Sequence, residues 1–374
     1  MKIINGNVFT GCGFEEKTVY VNGGVFVDEA SYVDDDVVLD AAGKVVAPGM
    51  IDVHFHACIG HDACDGTDES FHKMAEYEAS QGITAICPAT MTFPEEKLGG
   101  ICDVAAAFAP ADNEATLLGL NMEGPFISPS KVGAQNPVYV QEPNVEMFMR
   151  LQERAHGLVK LVDIAPEEPG ALEFIKAVKD CTRVSLAHMC ATYDDAMAAF
   201  DAGARQLTHL YNAMPGLAHR APGPIAAAAD CEDVFAEIIA DGVHIHPSMV
   251  RLAFKIFGAE RMLLISDTME AAGMPDGEYA LGGQAVTVRG NLATLHDGTI
   301  AGSVTNLALC VKTAVTQMEI PLADALRAAT LNPAIAMGVA DERGSISAGK
   351  VADCVILDPE TVAVERVILR GREL

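Results

Sequence analysis

Tryptophan is absent from the 374-residue chain, and aromatic residues together make up 6% of it. Basic residues are also few: 25 Lys and Arg stand against 52 Asp and Glu, and the formal net charge at pH 7 is -27. A charge of this sign repels nucleic acids and anionic membranes at long range, so neither is expected as a partner. An anionic small molecule would need a local group of positive side chains to bind.

Several motifs and segments are missing as well. The ten cysteines form no Cys-x-x-Cys pair, the opening residues MKIINGNVFT lack the apolar core of a signal peptide, and no apolar run is long enough to span a membrane. We therefore expect a cytoplasmic protein with reduced thiols. The phosphate-binding loop of nucleotide hydrolases and the Gly-x-Ser-x-Gly turn of serine hydrolases are also absent, which disfavours both chemistries.

Half of the residues are apolar, so the chain is long enough for one large domain, with or without a small second one. Residues 1–49 and 341–374 contain short strand-like pieces separated by turn-forming residues. The simplest prediction is that the two ends pair into a small β-sandwich domain. Residues 50–340 differ, because short apolar runs alternate there with Ala-rich stretches that are compatible with helices.

Eight apolar runs in this central region are typical of buried parallel strands. In chain order they are GMIDVHFH, GITAICPAT, TLLGLNMEG, KLVDIAPE, RVSLAHM, ARQLTHLYN, FAEIIADGVH and MLLISDT. Eight strand-and-helix units predict an α/β fold, namely a (β/α)8 barrel of the TIM type with the small β-sandwich domain beside it. The carboxyl ends of the strands of such a barrel converge on one face, where active sites are built.

The first, third, fifth, sixth, seventh and eighth runs each carry a His, Glu or Asp at or near the carboxyl end, so polar side chains should meet at that face. The residues that could bind a metal or transfer a proton there are His54, His56, Glu123, His188, His209 and Asp267. Each has an ordinary alternative: a histidine at a strand end often bonds to the backbone, and an aspartate after a strand often caps a helix. Their joint placement is what favours a functional site.

One glutamate and two to four neutral imidazoles form a donor set that suits Zn2+, with Fe2+ as the alternative. Such an ion lowers the pKa of bound water and polarises a carbonyl group. A nearby carboxylate can take a proton from water and deliver it to a leaving amine. Asp267, on the eighth predicted strand, is the candidate for this role.

Six motifs follow one another along the chain: PGMIDVHFH, NMEGPFISPSKVGAQNP, SLAHMCAT, LTHLYNAMPGLAHRAPG, ADGVHIHP and LISDTMEAAGMPDG. In this combination they resemble the N-acetylglucosamine-6-phosphate deacetylase family of the amidohydrolase superfamily. The resemblance implies that Glu123, His188 and His209 hold the principal metal, and that Asp267 acts as base and then as acid. Members of the family that retain both histidines of the first strand bind a second metal, so His54 and His56 predict one or two ions.

The resemblance also implies a set of contacts with an amino-sugar phosphate. Ala134 and Gln135 are expected to line the sugar, Arg220 and His244 to pair with the phosphate, and the loop near Val304 to approach the acetyl group. The full set of implied substrate contacts is Ala134, Gln135, Asn212, Ala213, Arg220, His244, Val304, Thr305 and Asn306. The resemblance further suggests a homodimer.

Two positions differ from the family pattern. Many members carry histidine where this chain has Gln135, and a glycine-containing turn is usual where Ala57 and Cys58 stand. The implied reaction is metal-dependent hydrolysis of N-acetyl-D-glucosamine 6-phosphate to D-glucosamine 6-phosphate and acetate. Alternatives are another N-acetylated amino sugar such as N-acetylgalactosamine 6-phosphate, a cyclic amide, or a barrel that has lost its catalytic activity.

Overall fold

The computed structural model describes residues 1–374. The strands, in chain order, are β1 (Lys2–Phe9), β2 (Phe14–Asn22), β3 (Val25–Val27), β4 (Val38–Asp40), β5 (Val45–Pro48), β6 (Met50–Phe55), β7 (Ala57–Cys58), β8 (His61–Asp62), β9 (Ile83–Thr90), β10 (Thr116–Leu117), β11 (Leu120–Met122), β12 (Val159–Ile164), β13 (Arg183–Leu186), β14 (Gln206–Leu207), β15 (Phe235–Ile239), β16 (Met262–Ile265), β17 (Gly277–Leu281), β18 (Gln284–Arg289), β19 (Leu292–Leu295), β20 (Cys354–Leu357), β21 (Val364–Leu369) and β22 (Arg372–Glu373).

The helices are α1 (Asp68–Ser80), α2 (Glu95–Ala107), α3 (Val145–Arg154), α4 (Ala171–Val178), α5 (Tyr193–Ala202), α6 (Gly223–Asp230), α7 (Pro247–Phe257), α8 (Leu307–Thr316), α9 (Leu322–Ala329) and α10 (Leu331–Ala336). Side chains set several of their starts: Thr67 accepts a hydrogen bond from the backbone of Ser70 at the start of α1, and Thr192 and Asp195 form a reciprocal cap on α5. No helix is both long and apolar enough to cross a membrane.

Eight parallel strands form the predicted barrel, in the order β6, β9, β11, β12, β13, β14, β15 and β16. A helix follows each of them. The first and eighth strands meet through backbone hydrogen bonds near their carboxyl ends, from the amide of Asp267 to the carbonyl of His54 and from the amide of His56 to the carbonyl of Thr268. The predicted fold class is confirmed, and the carboxyl ends of all eight strands open on one face.

The two ends of the chain share one eight-stranded sheet beside the barrel, with the order β22-β21-β20-β5-β1-β2-β3 and β4 also paired with β1. Strands β20 and β5 are antiparallel, with Cys354 opposite Pro48. One face of the sheet encloses a core of 13 buried residues that includes Ile3 and Ile356. Residues of the other face, among them Val355, belong to the 83-residue core of the barrel. The terminal segments are therefore bound to the barrel by a continuous apolar contact.

A three-stranded antiparallel sheet, β17 to β19, lies between the eighth barrel strand and α8. The apolar runs do not predict it, because its strands are short and partly exposed. Its Gln284 donates a hydrogen bond to the carbonyl of Ala134, 2.5 Å away. This bond joins the inserted sheet to the loop that follows the third barrel strand.

Candidate metal and active site

The six strand-end residues predicted to meet lie around one carboxylate, that of Glu123. Its Oε1 is 3.1 Å from Nε2 of His188 and 3.1 Å from Nε2 of His209. Nε2 of His54 is 3.5 Å from the same oxygen, and Nε2 of His56 is 3.3 Å from Oε2. Two groups of potential metal ligands result, and in each the donor atoms all lie within 4.8 Å of one another: Glu123, His188 and His209 in the first triplet, and His54, His56 and Asp267 in the second triplet.

Backbone conformation aims three of these side chains. His188, His209 and Asp267 all have positive φ, at 43°, 28° and 51°, just after their strands end. L residues enter this region at a cost, although His and Asp do so more often than most, and such conformations cluster at functional sites. The left-handed turn ends each strand early and directs the side chain across the mouth of the barrel.

Second contacts fix which nitrogen of His188 and of His56 faces the centre. Nδ1 of His188 lies 2.9 Å from the carbonyl of Lys131, and Nδ1 of His56 lies 3.3 Å from the carbonyl of Ala89. A carbonyl only accepts, so both rings carry a proton on Nδ1. Their Nε2 atoms are thereby left with the lone pair that a metal requires.

Glu237, which the sequence reasoning missed, serves His54 in the same way. Its Oε2 is 2.9 Å from Nδ1 of His54 and accepts the backbone amide of His209 at 3.2 Å. Its Oε1 accepts from Nε2 of Gln206 at 2.5 Å. Glu237 is fully buried in the middle of β15. The signal was available, since a lone glutamate within the apolar run FAEII needs buried partners.

The donor atoms fit a divalent cation. Nε2 of His188 and of His209 are 3.2 Å apart, close to the ~3.3 Å that separates two nitrogens bound tetrahedrally at ~2.05 Å from Zn2+. Nε2 of His54 is buried and has no hydrogen-bond partner. A buried lone pair without a donor is costly, and a cation among these rings would satisfy it.

Electrostatics point the same way. Burial favours the neutral form of Glu123, but the neighbouring imidazoles of His188, His209 and His54 outweigh it and hold the pKa of this carboxyl well below its usual range. Burial likewise favours a neutral His188, yet the neighbouring Glu123 raises the pKa of that ring. The cluster therefore attracts positive charge, which a metal ion supplies when it displaces the ring protons.

Gln135 lies against this centre. Its Nε2 donates to Oε2 of Glu123 at 2.5 Å, and its Oε1 accepts the backbone amide of Thr92 at 2.6 Å. The side-chain amide of Gln135 is thus held at both ends and orients the carboxylate of Glu123.

The turn after Glu123 requires glycine. Gly124 has φ 82°, and a Cβ there would lie 2.2 Å from Oγ1 of Thr92.

A cavity of about 550 Å³ opens above the donor atoms. Most of the residues predicted at the site line it: His56, Glu123, Ala134, Gln135, His188, His209, Asn212, Ala213, His244 and Asp267. The loop after the inserted sheet adds Asp297, Thr299, Ile300 and Gly302, and the loop after Glu123 adds Lys131. These additional lining residues were not predicted, because nothing in the local sequence shows that the two loops meet over the barrel.

His244 brings a positive group to the cavity. Its Nδ1 lies 2.7 Å from Oδ2 of Asp241, which follows the seventh barrel strand. Burial favours the neutral ring, but the hydrogen bond and charge of Asp241 outweigh it and raise the pKa of His244. Lys131 is the other basic side chain outside the metal-ligand set that lines the cavity.

Four predicted substrate contacts lie elsewhere. Arg220 is exposed, next to His219, and lines a second cavity with the start of α5. Val304, Thr305 and Asn306 follow Gly302 but do not line the main cavity. The side chain of Asn306 instead caps α8 by accepting the amide of Leu309.

The unusual pair Ala57 and Cys58 forms strand β7, which pairs with β8 in a two-stranded ribbon beyond the first barrel strand. The amide of Ala57 donates to the carbonyl of Thr268 beside Asp267. Both side chains are fully buried, and burial raises the pKa of the Cys58 thiol well above its usual range. The thiol is therefore neutral and packs as a small apolar group.

Together, the barrel and its convergent imidazoles and carboxylates define a class of (β/α)8 proteins that bind divalent metal ions at the carboxyl ends of the strands. A model of the amidohydrolase family matches residues 45–374. The N-acetylglucosamine-6-phosphate deacetylase of Bacillus subtilis is 37% identical over 335 residues, 88% of this chain and 84% of the relative. The N-acetylgalactosamine-6-phosphate deacetylase of Escherichia coli O157:H7 is 34% identical, over 90% of this chain and 89% of the relative.

A solved structure shows the same likeness over the whole chain. It is a mutant N-acetyl-D-glucosamine-6-phosphate deacetylase from Mycobacterium smegmatis in complex with N-acetyl-D-glucosamine-6-phosphate. The TM-score is 0.92 at 31% identity, and the match covers 100% of this chain and 98% of that one. The chain belongs to the amidohydrolase family, and within it to the N-acetylglucosamine-6-phosphate deacetylases.

Proposed function

We propose that this protein hydrolyses the acetamide group of N-acetyl-D-glucosamine 6-phosphate, releasing acetate and D-glucosamine 6-phosphate. The observation that carries the proposal is one cavity lined by the whole first triplet, by His56 and Asp267 of the second triplet, and by the basic His244. The names of the relatives from Bacillus subtilis and Mycobacterium smegmatis support the choice of substrate.

Glu123, His188 and His209 would hold the principal cation, and His54, His56 and Asp267 a second one. We propose Zn2+ for the principal site, with Fe2+ as the alternative, because both suit imidazole and carboxylate donors. When bound, such an ion polarises the amide carbonyl and lowers the pKa of bound water towards neutral pH.

Asp267 performs the proton transfers. Its Oδ1 lies 3.2 Å from Nε2 of His56, and its side chain lines the cavity, where a water can reach it. Asp267 takes a proton as water attacks the carbonyl carbon, and returns it to the C2 nitrogen as the carbon–nitrogen bond breaks. The products are acetate and the free amine.

Neighbouring residues position the sugar. Ala134, Gln135, Asn212 and Ala213 line the cavity beside the donor atoms and are proposed to contact the ring and its hydroxyl groups. His244 and Lys131 are proposed to face the phosphate, because a dianion on so acidic a protein requires local positive charge. Arg220 lies on the exposed rim of the second cavity, so its proposed contact with phosphate would require rearrangement or a second subunit.

The deciding experiment measures acetate release from N-acetyl-D-glucosamine 6-phosphate and from the unphosphorylated sugar, with metal content determined on the same sample. We expect turnover of the phosphorylated sugar and a far higher KM without the phosphate. Absence of acetate release from a metal-loaded sample would exclude the proposed activity and favour a barrel without catalysis. Equal kinetics on both sugars would remove the phosphate role of His244 and Lys131.

N-acetyl-D-galactosamine 6-phosphate is the second candidate substrate, favoured by the Escherichia coli relative that acts on it by name. The two sugars differ only in the direction of the C4 hydroxyl. Gln135 bears on this choice, since it occupies a position where many family members carry histidine. Acetate release from the two epimers in parallel gives the ratio of kcat/KM and decides between them.

We also propose that the protein is a homodimer in the cytoplasm. All ten cysteines are unpaired, which fits a reducing compartment. The exposed position of Arg220 fits a site completed by a second copy. Light scattering coupled to size-exclusion chromatography measures the assembly directly, and a mass equal to one 39.4 kDa chain would exclude the dimer.

A further inference from the structure

A chain of hydrogen bonds runs inside the barrel from the partly buried Arg183 to the fully buried His54. Nε of Arg183 donates to Oε1 of Gln206 at 2.7 Å. Nε2 of Gln206 donates to Oε1 of Glu237 at 2.5 Å, and Oε2 of Glu237 lies 2.9 Å from Nδ1 of His54. The side chains of Gln206, Glu237 and His54 are fully buried. Water therefore has little access to replace a partner.

Each bond in this chain has a fixed direction. A guanidinium group only donates, so the amide of Gln206 must present its oxygen to Arg183 and its nitrogen to Glu237. Burial and the neighbouring Arg205 lower the pKa of Arg183 to about 10, and the side chain stays charged at neutral pH. The carbonyl of Arg205 and the ring of Phe235 hold the guanidinium in place. Glu237 is then left as an acceptor for the Nδ1 proton of His54.

We infer that Glu237 is a positioning residue for the second metal: together with Gln206 and Arg183 it imposes the tautomer of His54 whose Nε2 carries the free lone pair. The inference rests on the proposed metal centre. It assigns a role to three residues outside that centre, one of which, Arg183, lies at the opposite end of its strand. It also explains why a carboxylate is buried in the seventh strand.

The substitution Glu237→Gln tests the direction of the bonds at nearly constant shape. If Gln206 keeps its contact with Arg183, the new amide presents its NH2 group to His54, and the lone pair moves to Nδ1. If the new amide turns over, two NH2 groups face each other in the core. Metal at Nε2 of His54 requires the second arrangement, so the affinity falls by the free-energy cost of reaching it from the first.

The double substitution Glu237→Gln with Gln206→Glu swaps the amide and the carboxylate between the two positions. Every hydrogen bond of the wild type can then form again. Glu at 206 accepts from Arg183 and from the NH2 group of the amide at 237, whose oxygen then accepts the Nδ1 proton of His54. The net charge of the pair equals that of the wild type. A residue that only filled space would show no such rescue.

The experiment titrates metal-free protein with Co2+ and follows its visible absorption and the bound stoichiometry. We expect the wild type to bind two Co2+ ions, Glu237→Gln to weaken one of them roughly 10- to 100-fold, and the double variant to recover most of that loss. Unchanged affinity in the single variant, a double variant as weak as the single one, or a wild type that binds one ion would each overturn the inference.

If Glu237→Gln fails to fold, nitrogen NMR of the Zn2+-loaded wild type still tests the inference, because it shows which ring nitrogen of His54 carries the proton and which binds the metal. A proton on Nδ1 and metal on Nε2 is the expected result, and metal on Nδ1 contradicts it. None of these measurements uses catalysis. A protein that binds two ions as described but releases no acetate would therefore refute the proposed activity and leave this inference standing.

Discussion

Three carboxylates line the cavity, and their surroundings separate their roles. Glu123 is enclosed by imidazoles and by Gln135, so no oxygen is free for a substrate. Asp297 lies in the loop after the inserted sheet and accepts the amide of Thr299. Asp267 has one oxygen beside His56, and its side chain lines the cavity. At the level of single residues, Asp267 is thus the group best placed to exchange a proton with a reactant.

Replacing Asp267 with Asn removes the carboxylate that accepts the proton but keeps the shape of the side chain. Acetate release should fall by about 10²- to 10⁴-fold in kcat, the usual contribution of a general acid–base group. The cation held by Glu123, His188 and His209 should remain, which metal analysis of the same sample checks. Near-normal turnover in the variant would exclude Asp267 from the proton transfers.

Binding of the substrate phosphate should depend on pH through His244. Burial favours the neutral ring, but Asp241 outweighs it and raises the pKa of His244 above its ordinary 6.5, so the ring keeps its charge to a higher pH than a free imidazole and loses it as the pH rises through the raised value. The substrate phosphate has its second pKa near 6 and stays dianionic there. KM for the sugar phosphate should therefore rise roughly tenfold towards alkaline pH while kcat changes little.

The variant His244→Asn is the control for this titration, because an amide hydrogen-bonds phosphate without titrating. Its KM should be raised at neutral pH and should show no alkaline increase of this kind. A wild-type profile that matches the variant across the whole range would show that His244 carries no charge in the complex.

At the scale of strands and helices, the barrel and its polar strand ends were predictable because each depends on a local pattern. In the runs around His54, Glu123 and Asp267, a few consecutive residues indicate both a buried strand and a polar side chain at its carboxyl end. The loop contacts were not predictable in this way. Gln135 reaches Glu123 only because a loop folds back over the barrel, and the position of Gly302 depends on the inserted sheet.

Asn306 shows how a loop residue can have a structural use that its sequence does not reveal. Besides capping α8, its Nδ2 donates to the hydroxyl of Tyr77 at 3.3 Å and to Gln81 at 3.2 Å, which joins α8 to α1. Asn306→Ala should lower the free energy of unfolding by about 2–4 kcal/mol, the sum of a lost cap and two partly buried hydrogen bonds. Urea denaturation measures the loss.

Asn144→Ala provides a matched comparison, because Asn144 caps α3 from an exposed position and makes no bond to another helix. This variant should lose about 0.5–1 kcal/mol. Equal losses in the two variants would mean that the link between α8 and α1 adds nothing to stability.

For the whole molecule, the terminal sheet and the barrel share a core. Five side chains of the last segment are buried in the 83-residue barrel core: Val355, Leu357, Val362, Val367 and Leu369. Burial contributes about 1.5–3 kcal/mol for each, so their sum is comparable to the net stability of a typical domain, about 5–15 kcal/mol. The last segment is therefore part of the folding unit, although in sequence it resembles an appendage.

Deleting residues 341–374 should accordingly prevent folding of the barrel. We expect little soluble protein and no cooperative thermal transition by circular dichroism. Deleting only residues 372–374 removes the exposed edge strand β22 and should leave yield and melting near those of the full chain. A soluble, cooperatively melting barrel after the longer deletion would contradict the shared core.

The pairing of β5 with β20 also has a consequence for how the protein is made. Lys44 and Glu365, an ion pair in the finished sheet, are 321 residues apart in the chain. At about 5–20 residues per second, the ribosome needs roughly 15–60 s after the synthesis of β5 to reach the carboxyl-terminal strands that pair beside it. During that interval β5 presents unpaired amides and an apolar face to the cell. The nascent chain is thus a natural client for chaperones until its last strands emerge.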